Sequence, residues 1–206
     1  MLEAVDLSCE RGGRTLFSGL SFTLAPGQAL LVTGPNGAGK TSLLRILCGL
    51  SPPFTGEVRW RGQGLAAAAD RLRGALFYLG HHNGIKDELT ALENLHINAT
   101  LAGDALSEEA ARAALAGMGL VGREDLPAKT LSQGQRRRVA LARLLVSHAP
   151  LWVLDEPLTA LDSRAAALIE SRLVAHLAEG GLVVLTTHQP IDLPEIALRR
   201  LTLGEA

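Results

Sequence analysis

Aromatic residues are scarce, 3% of a 206-residue chain in which 47% of residues are apolar. The core must therefore be Leu, Val and Ala packing, and stacking platforms for nucleic-acid bases are few. Charge of one sign is also lacking: 20 Lys and Arg stand against 21 Asp and Glu, for a formal net charge of -1. Without a cationic excess to neutralise a polyphosphate strand or an anionic bilayer, no nucleic-acid partner is expected. Only Cys9 and Cys48 carry thiols, in neither a CxxC nor a CxxCH spacing, which argues against a disulfide framework, structural zinc and covalent haem. Long apolar runs are missing too. The uncharged stretch from Thr15 to Gly39 is broken by Gly19, Pro26, Gly27, Gly34 and Pro35, short of the roughly 20 apolar residues that span a bilayer. The opening Met-Leu-Glu-Ala-Val-Asp carries two acids and no basic segment ahead of an apolar one. It is read as no secretory signal, leaving a cytosolic chain that meets a membrane only through partners.

What is present reads as α/β. This length buries one substantial core, so a single domain with at most a small insertion is predicted. Strands are expected around Leu2 to Leu7 and Leu20 to Leu24, with a turn at Arg11 to Arg14, and a fully covered strand over Gln28 to Thr33. A glycine loop then leads into a helix over Thr41 to Leu50 with Leu43, Leu44, Ile46 and Leu47 inward. From about 83 to 148 the texture is helical. Thr90 with Glu93 makes a capping box, Ser107 caps a second helix that Gly117 and Gly119 stop, and a third runs from Ser132 to about Ser147. Leu151 to Leu154 and Leu182 to Thr186 are buried strands flanking a helix that Asp162 caps and Gly180-Gly181 ends, a βαβ crossover. The expected organisation is a core of about 1–82 and 149–206 interrupted by a helical subdomain of about 83–148.

Gly34-Pro35-Asn36-Gly37-Ala38-Gly39-Lys40-Thr41 fits the phosphate-binding loop pattern without a mismatch, between a buried strand and a helix. Its glycines let backbone N–H groups turn toward a β-phosphate, Lys40 reaches the β and γ oxygens, and the Thr41 hydroxyl is a ligand for Mg²⁺. Ser42 is counted with them as a nucleotide contact. Leu151-Trp152-Val153-Leu154-Asp155-Glu156-Pro157 delivers Asp155 at a strand end as a second Mg²⁺ ligand and places Glu156 beside it to polarise an attacking water. An acidic pair at a strand end, taken alone, also reads as a helix cap; the glycine loop favours the catalytic reading.

With Leu131-Ser132-Gln133-Gly134-Gln135 the chain resembles the ATP-binding subunits of ATP-binding-cassette (ABC) proteins, whose signature loop reads Leu-Ser-Gly-Gly-Gln. On the residues alone the segment is also a well-capped helix start followed by a solvated Arg136-Arg137-Arg138 face. The resemblance implies a P-loop ATPase with a RecA-like mixed sheet core and an inserted α-helical subdomain. Ala160-Leu161-Asp162 is similar to the loop that crosses between subunits, and His188 to the switch histidine that touches the γ-phosphate and orders water. It further implies that Ser132, Gly134 and Gln135 act on ATP held by the Gly34 loop of a second copy, so that hydrolysis requires a homodimer. His82 stands where the family has a Mg²⁺-contacting Gln; neutral imidazole can accept as the amide oxygen does, imidazolium cannot. The family's adenine-stacking aromatic is absent, with Glu10 or Arg11 in its region.

A narrower likeness lies in Tyr78-Leu79-Gly80-His81-His82-Asn83-Gly84-Ile85-Lys86, in Leu89 to Leu95, in Arg14 to Phe22 and in Thr186-Thr187-His188-Gln189-Pro190. These are similar to the ATP-binding subunits of bacterial cytochrome c maturation haem exporters, which usually carry Gln-Pro where His82-Asn83 stand. Such membership implies a peripheral ATPase on the cytoplasmic side of the inner membrane, docked on integral membrane subunits through Asn83 to Leu95. Indirectly it would act on a periplasmic haem chaperone, whose haem-loaded release the ATP step powers. His81, His82, His96, His148 and His176 show no haem-ligating spacing, so haem binding by this chain is not expected. An exporter ATPase for another cargo and a soluble non-transport ABC ATPase are the alternative readings. The second of these needs a long coiled-coil insertion or a tandem cassette, which this sequence does not contain.

Overall fold

The structure, a computed structural model, describes residues 1–193 and 198–204. It opens with a hairpin of β1 (Leu2–Arg11) and β2 (Arg14–Leu24), turning through Gly12 and Gly13 at φ 57° and 73°, where glycine carries no Cβ penalty. After β3 (Ala29–Thr33) come α1 (Lys40–Leu47), β4 (Thr55–Trp60), β5 (Gln63–Gly64), α2 (Leu65–Arg73) and β6 (Leu76–Leu79). The helical stretch holds α3 (Ala91–Ala102), α4 (Glu108–Gly117), a 3-10 turn at Ala128–Thr130 and α5 (Gln133–Val146). The chain returns as β7 (Leu151–Asp155), α6 (Ser163–Ala178), β8 (Leu182–Thr186) and β9 (Leu198–Thr202). The α/β core thus contains two sheets, one antiparallel in the order β2-β1-β4-β5 and one parallel in the order β6-β7-β8-β3-β9.

The parallel sheet follows from runs of apolar residues with no polar face. In β3, Leu30 and Val32 pack with α1 and the antiparallel sheet, while Ala29 and Leu31 pack with the helices on the opposite side. β7 divides in the same way, Leu151 and Val153 against Trp152 and Leu154, and so does β8, Leu182 and Val184 against Val183 and Leu185. Alternate side chains of a strand point to opposite faces, so a strand covered on both sides must be apolar throughout. The inner faces of α3, α4, α5 and α6 form one continuous cluster with the Trp152 side of the sheet.

The helix starts agree with the capping chemistry. Thr90 and Ser132 each form a capping box, and Ser107 and Asp162 accept from the backbone N–H groups of Ala110 and Ala165. Other expectations need correction. The first two strands are longer than expected because β1 bends at bulges between Ala4 and Leu7, Leu7 and Cys9, and Cys9 and Glu10, which breaks the alternation that pattern reading follows. The helix expected to reach Leu50 stops at Leu47, where Gly49 turns left-handed at φ 69° and donates back to the carbonyl of Ile46. β4, β5, α2, β6 and β9 add to the elements expected from the sequence. β9, Leu-Arg-Arg-Leu-Thr, is a sheet edge and mostly exposed, so it has no apolar signal. Residues 194–197 and 205–206 of the core segment expected to end at 206 lie outside the described residues.

Trp152, fully buried, carries the His176 ring stacked on it at 3.8 Å with an interplanar angle of 3°, and the Arg172 guanidinium 5.0 Å from its centroid. A Cβ at Gly181 would stand 2.2 Å from His176 Nε2, so only glycine fits beside this stack. The buried Nε2 has no hydrogen-bond partner among the described residues. Burial, then the neighbouring positive charge of Arg172, lowers the His176 pKa to about 4. Because the folded pKa is depressed below the ordinary 6.5, the stability that neutral His176 provides is complete above pH 6.5 and is lost as pH falls toward 4. His176→Phe keeps the stack and removes the titration. Urea unfolding at pH 7 and pH 5 is expected to show a loss of stability smaller by about 1 kcal/mol in the variant; equal losses in the two proteins would contradict this role.

Candidate functional site

The parallel sheet brings the carboxyl ends of β3, β7 and β8 side by side, the crevice where open α/β sheets hold ligands. From β3 the chain leaves through Gly34 at φ 134°, where a Cβ would meet the backbone oxygen of Leu203 at 2.3 Å. The loop closes at Gly39, φ 97°, which precedes α1 and receives the N–H of Leu43 on its carbonyl. Lys40 Nζ donates to the carbonyls of Gly34 at 2.7 Å and Pro35 at 3.1 Å, so the ammonium lies inside the loop curve. This is the nest geometry in which backbone amides and a cation face one centre, suited to polyphosphate.

Asp155, 5% exposed at the end of β7, is held at both oxygens. Thr41 Oγ1 donates to Oδ2 at 2.8 Å and Thr186 Oγ1 donates to Oδ1 at 2.7 Å. The Thr186 hydroxyl and carbonyl also accept from the Glu156 N–H, at 3.0 and 3.2 Å. Glu156 itself sits at φ 51°, a left-handed conformation uncommon for a residue with a Cβ. Its Oε2 accepts from the backbone N–H of His188 at 3.3 Å and from Thr159 Oγ1 at 3.4 Å. Its Oε1 is buried without a hydrogen bond among the described residues, with His188 Nε2 3.5 Å away. A carboxylate with a free, shielded oxygen beside an imidazole is the chemistry of a general base.

A cavity of about 380 Å³ joins these groups, lined by Asn36, Gly37, Gly39, Lys40, Thr41, Ser42, Asp155, Glu156 and His188, with His81, Arg11 and Leu16 at its walls. A neighbouring cavity of about 660 Å³ shares Thr41, Ser42, Arg11 and His81 and continues to His82, Tyr78 and Arg45. Of the two histidines, His81 lines both cavities and His82 lines the second. Ser132, Gly134, Gln135 and Asp162 line neither cavity. Ser132 is exposed, its hydroxyl accepting from the Gln135 N–H at 3.2 Å while Gln135 Oε1 accepts from the Ser132 N–H at 2.9 Å. A Cβ at Gly134 would meet nothing within 4 Å, so this helix tip has open space before it. Asp162 caps α6 and accepts from Arg138 Nη2 at 2.7 Å. The Ala165 N–H holds its carboxyl below the usual carboxylate range; burial opposes this and the Arg138 charge adds to it.

The arginine run is not the solvated face that the sequence suggests. Arg136 bonds Asp87 and the carbonyls of Leu131 and Lys129, and Arg138 bonds Asp162. Arg137 is buried and donates to backbone at the acidic pair; burial lowers its pKa and the charges of Asp155 and Glu156 oppose that. Thr186, Arg137 and His81 are the site residues that sequence reasoning passed over. Thr186 looks like the last residue of an apolar strand, and the middle arginine of three carries no periodic mark of burial.

Among the described residues no group of three or more His, Cys, Asp or Glu is placed to hold a metal ion alone. The Thr41 hydroxyl and Asp155 carboxylate, 2.8 Å apart, are hard oxygen donors. They fit Mg²⁺, which takes one or two protein oxygens and completes its octahedron with water and substrate phosphate.

The family model described as ABC transporter matches residues 17–159. The cytochrome c biogenesis ATP-binding export protein CcmA of Nitrosospira multiformis is 55% identical over 202 residues, covering 98% of each chain. The protein of the same name from Escherichia coli K12 is 52% identical over 205 residues, covering 100% of this chain and 97% of its own. A solved dimeric ATP-binding cassette in a post-hydrolysis state, bound to ADP and Pi, superposes with a TM-score of 0.82 at 23% identity, covering 100% of this chain and 97% of its own; that likeness is one of fold.

Thr186→Val keeps the shape of the side chain and deletes the hydroxyl shared by the Asp155 carboxylate and the Glu156 amide. Leaving those buried groups short of a partner is expected to lower unfolding free energy by about 1–3 kcal/mol. Denaturant titration of the variant checks it, and a midpoint equal to the parent's would contradict the arrangement.

Proposed function

The chain belongs to the ABC transporter family, and on that premise we propose that it is the ATP-hydrolysing subunit of an exporter serving cytochrome c maturation. The observation that carries hydrolysis is the convergence of Lys40, Thr41, Asp155, Glu156 and His188 on one cavity at the ends of three parallel strands. Likeness to the CcmA proteins along nearly the whole chain supports the export role.

In this reading the Gly34–Thr41 loop cradles the β- and γ-phosphates of ATP through its amides, and Lys40 leaves the loop carbonyls to bind phosphate oxygens. Mg²⁺, held by Thr41 and Asp155, supplies neutralisation of phosphate charge when it is bound with the nucleotide. Glu156 accepts a proton from water on its carboxylate as the water oxygen bonds to the γ-phosphorus and ADP leaves, and His188, beside that carboxylate, orients the water. The residues that would complete the phosphate environment, Ser132, Gly134 and Gln135, stand at an open helix tip away from this cavity, which favours a second copy of the chain supplying them. Asp162, near that surface, would take part in the contact between copies.

No described helix is long and apolar enough to cross a membrane. Export then requires integral membrane subunits, on which this chain sits as a peripheral ATPase at the cytoplasmic side of the bacterial inner membrane. Its strokes power haem export and the release of a haem-loaded periplasmic chaperone. The test is purification of the chain with its partners from membranes in mild detergent, followed by partner identification and an absorption spectrum. Membrane subunits that carry a haem Soret band are expected; a permease with no haem on it would contradict the cargo.

A further inference from the structure

Arg137 lies one turn into α5 from the Ser132 cap and is 9% exposed. Its four described hydrogen bonds all go to neutral groups. Nη2 donates to the carbonyls of Asp155 at 3.1 Å and Glu156 at 2.7 Å, and Nη1 to the carbonyl of Gly80 at 3.3 Å and Asn83 Oδ1 at 3.2 Å. One planar group therefore binds the turn that carries the acidic pair and the loop that carries His81. A buried cation is a poor device for stability alone, since a well-packed apolar residue often does as well. What the guanidinium offers is direction: its fork fixes several acceptors in one plane. Glu156 needs such fixing, because its φ of 51° is a conformation a residue with a Cβ holds only when its surroundings enforce it.

We propose that Arg137 is a positioning residue for hydrolysis, clamping the Glu156 turn and the Gly80–Asn83 loop to the helix whose tip bears Ser132 and Gly134. Displacement of that tip by a nucleotide is thereby delivered to the base of the same chain and to the loop beside it. The proposal rests on Glu156 being the base, as read above.

The test measures ATP hydrolysis by the full chain together with its membrane subunits, with melting temperature recorded for each variant. Arg137→Met is expected to lower kcat by about tenfold to a hundredfold while KM for ATP stays within about threefold, because the base is misplaced and the phosphate loop is intact. Arg137→Lys restores little, since an ammonium cannot reproduce the planar fork. Asn83→Ala loosens only the loop end of the clamp. It is expected to lower kcat several-fold with an unchanged melting temperature, and the double variant should be no slower than Arg137→Met alone. A wild-type kcat in Arg137→Met, or losses that multiply in the double variant, would overturn the proposal. So would kcat and KM changing together with the melting temperature. Where Arg137→Met does not fold, Asn83→Ala decides, a wild-type kcat again overturning it. Glu156→Gln is assayed in parallel: if it hydrolyses ATP normally the base assignment falls, whereas an inactive Glu156→Gln beside a fully active Arg137→Met removes the positioning role alone.

Discussion

The two hydrogen bonds on Asp155, from Thr41 on one side and Thr186 on the other, are the constraint on which the site depends. They join the end of the phosphate loop to β7, 114 positions away in sequence, and β7 to β8, 31 positions further on. A carboxylate 5% exposed is costly unless its oxygens are satisfied, and here each oxygen takes a hydroxyl that one strand or helix end must deliver. Register follows from that requirement. Leu154 pairs with Leu185 and Asp155 with Thr186, so the polar layer begins at the same level on both strands, immediately beyond the apolar one.

The same layer explains the left-handed backbone at Glu156. The residue after Asp155 has to turn away from the strand while its amide stays on Thr186, and the left-handed turn that achieves this aims the carboxylate at His188. Neighbouring elements hold the turn in place. Arg137 grips its carbonyls from α5, and β8 grips its amide. Packing beneath is apolar on both faces of the sheet, so little movement is available below the polar layer.

Much of this was legible in the residues. The phosphate loop, the apolar strands that precede Lys40 and follow Pro150, and the caps at Thr90, Ser107, Ser132 and Asp162 all have local signatures, because the backbone geometry they enforce involves residues a few positions apart. What was not legible depends on distant chain. β9 is an edge strand whose two arginines hide it, and the bulged β1 loses its alternation at Asp6, φ 50°. Arg137 has the composition of a surface helix and becomes an interior group only because Gly80 and Glu156 are folded against it. His81 and His82 are neighbours of equal chemistry, and only the course of the loop after β6 sets the first of them in the cavity that holds Lys40 and Asp155.

The open tip at Gly134 and the cavity at Lys40 face different surroundings in one chain, so the central claim is that ATP is completed by two chains. Light scattering of Glu156→Gln with ATP and Mg²⁺ tests it most directly. The account predicts a doubling from the 21.7 kDa protomer with one ATP retained per chain, abolished when Ser132→Arg is added to block the tip. Tight retention of ATP by a species that stays at the protomer mass, with or without the Ser132 change, would contradict it.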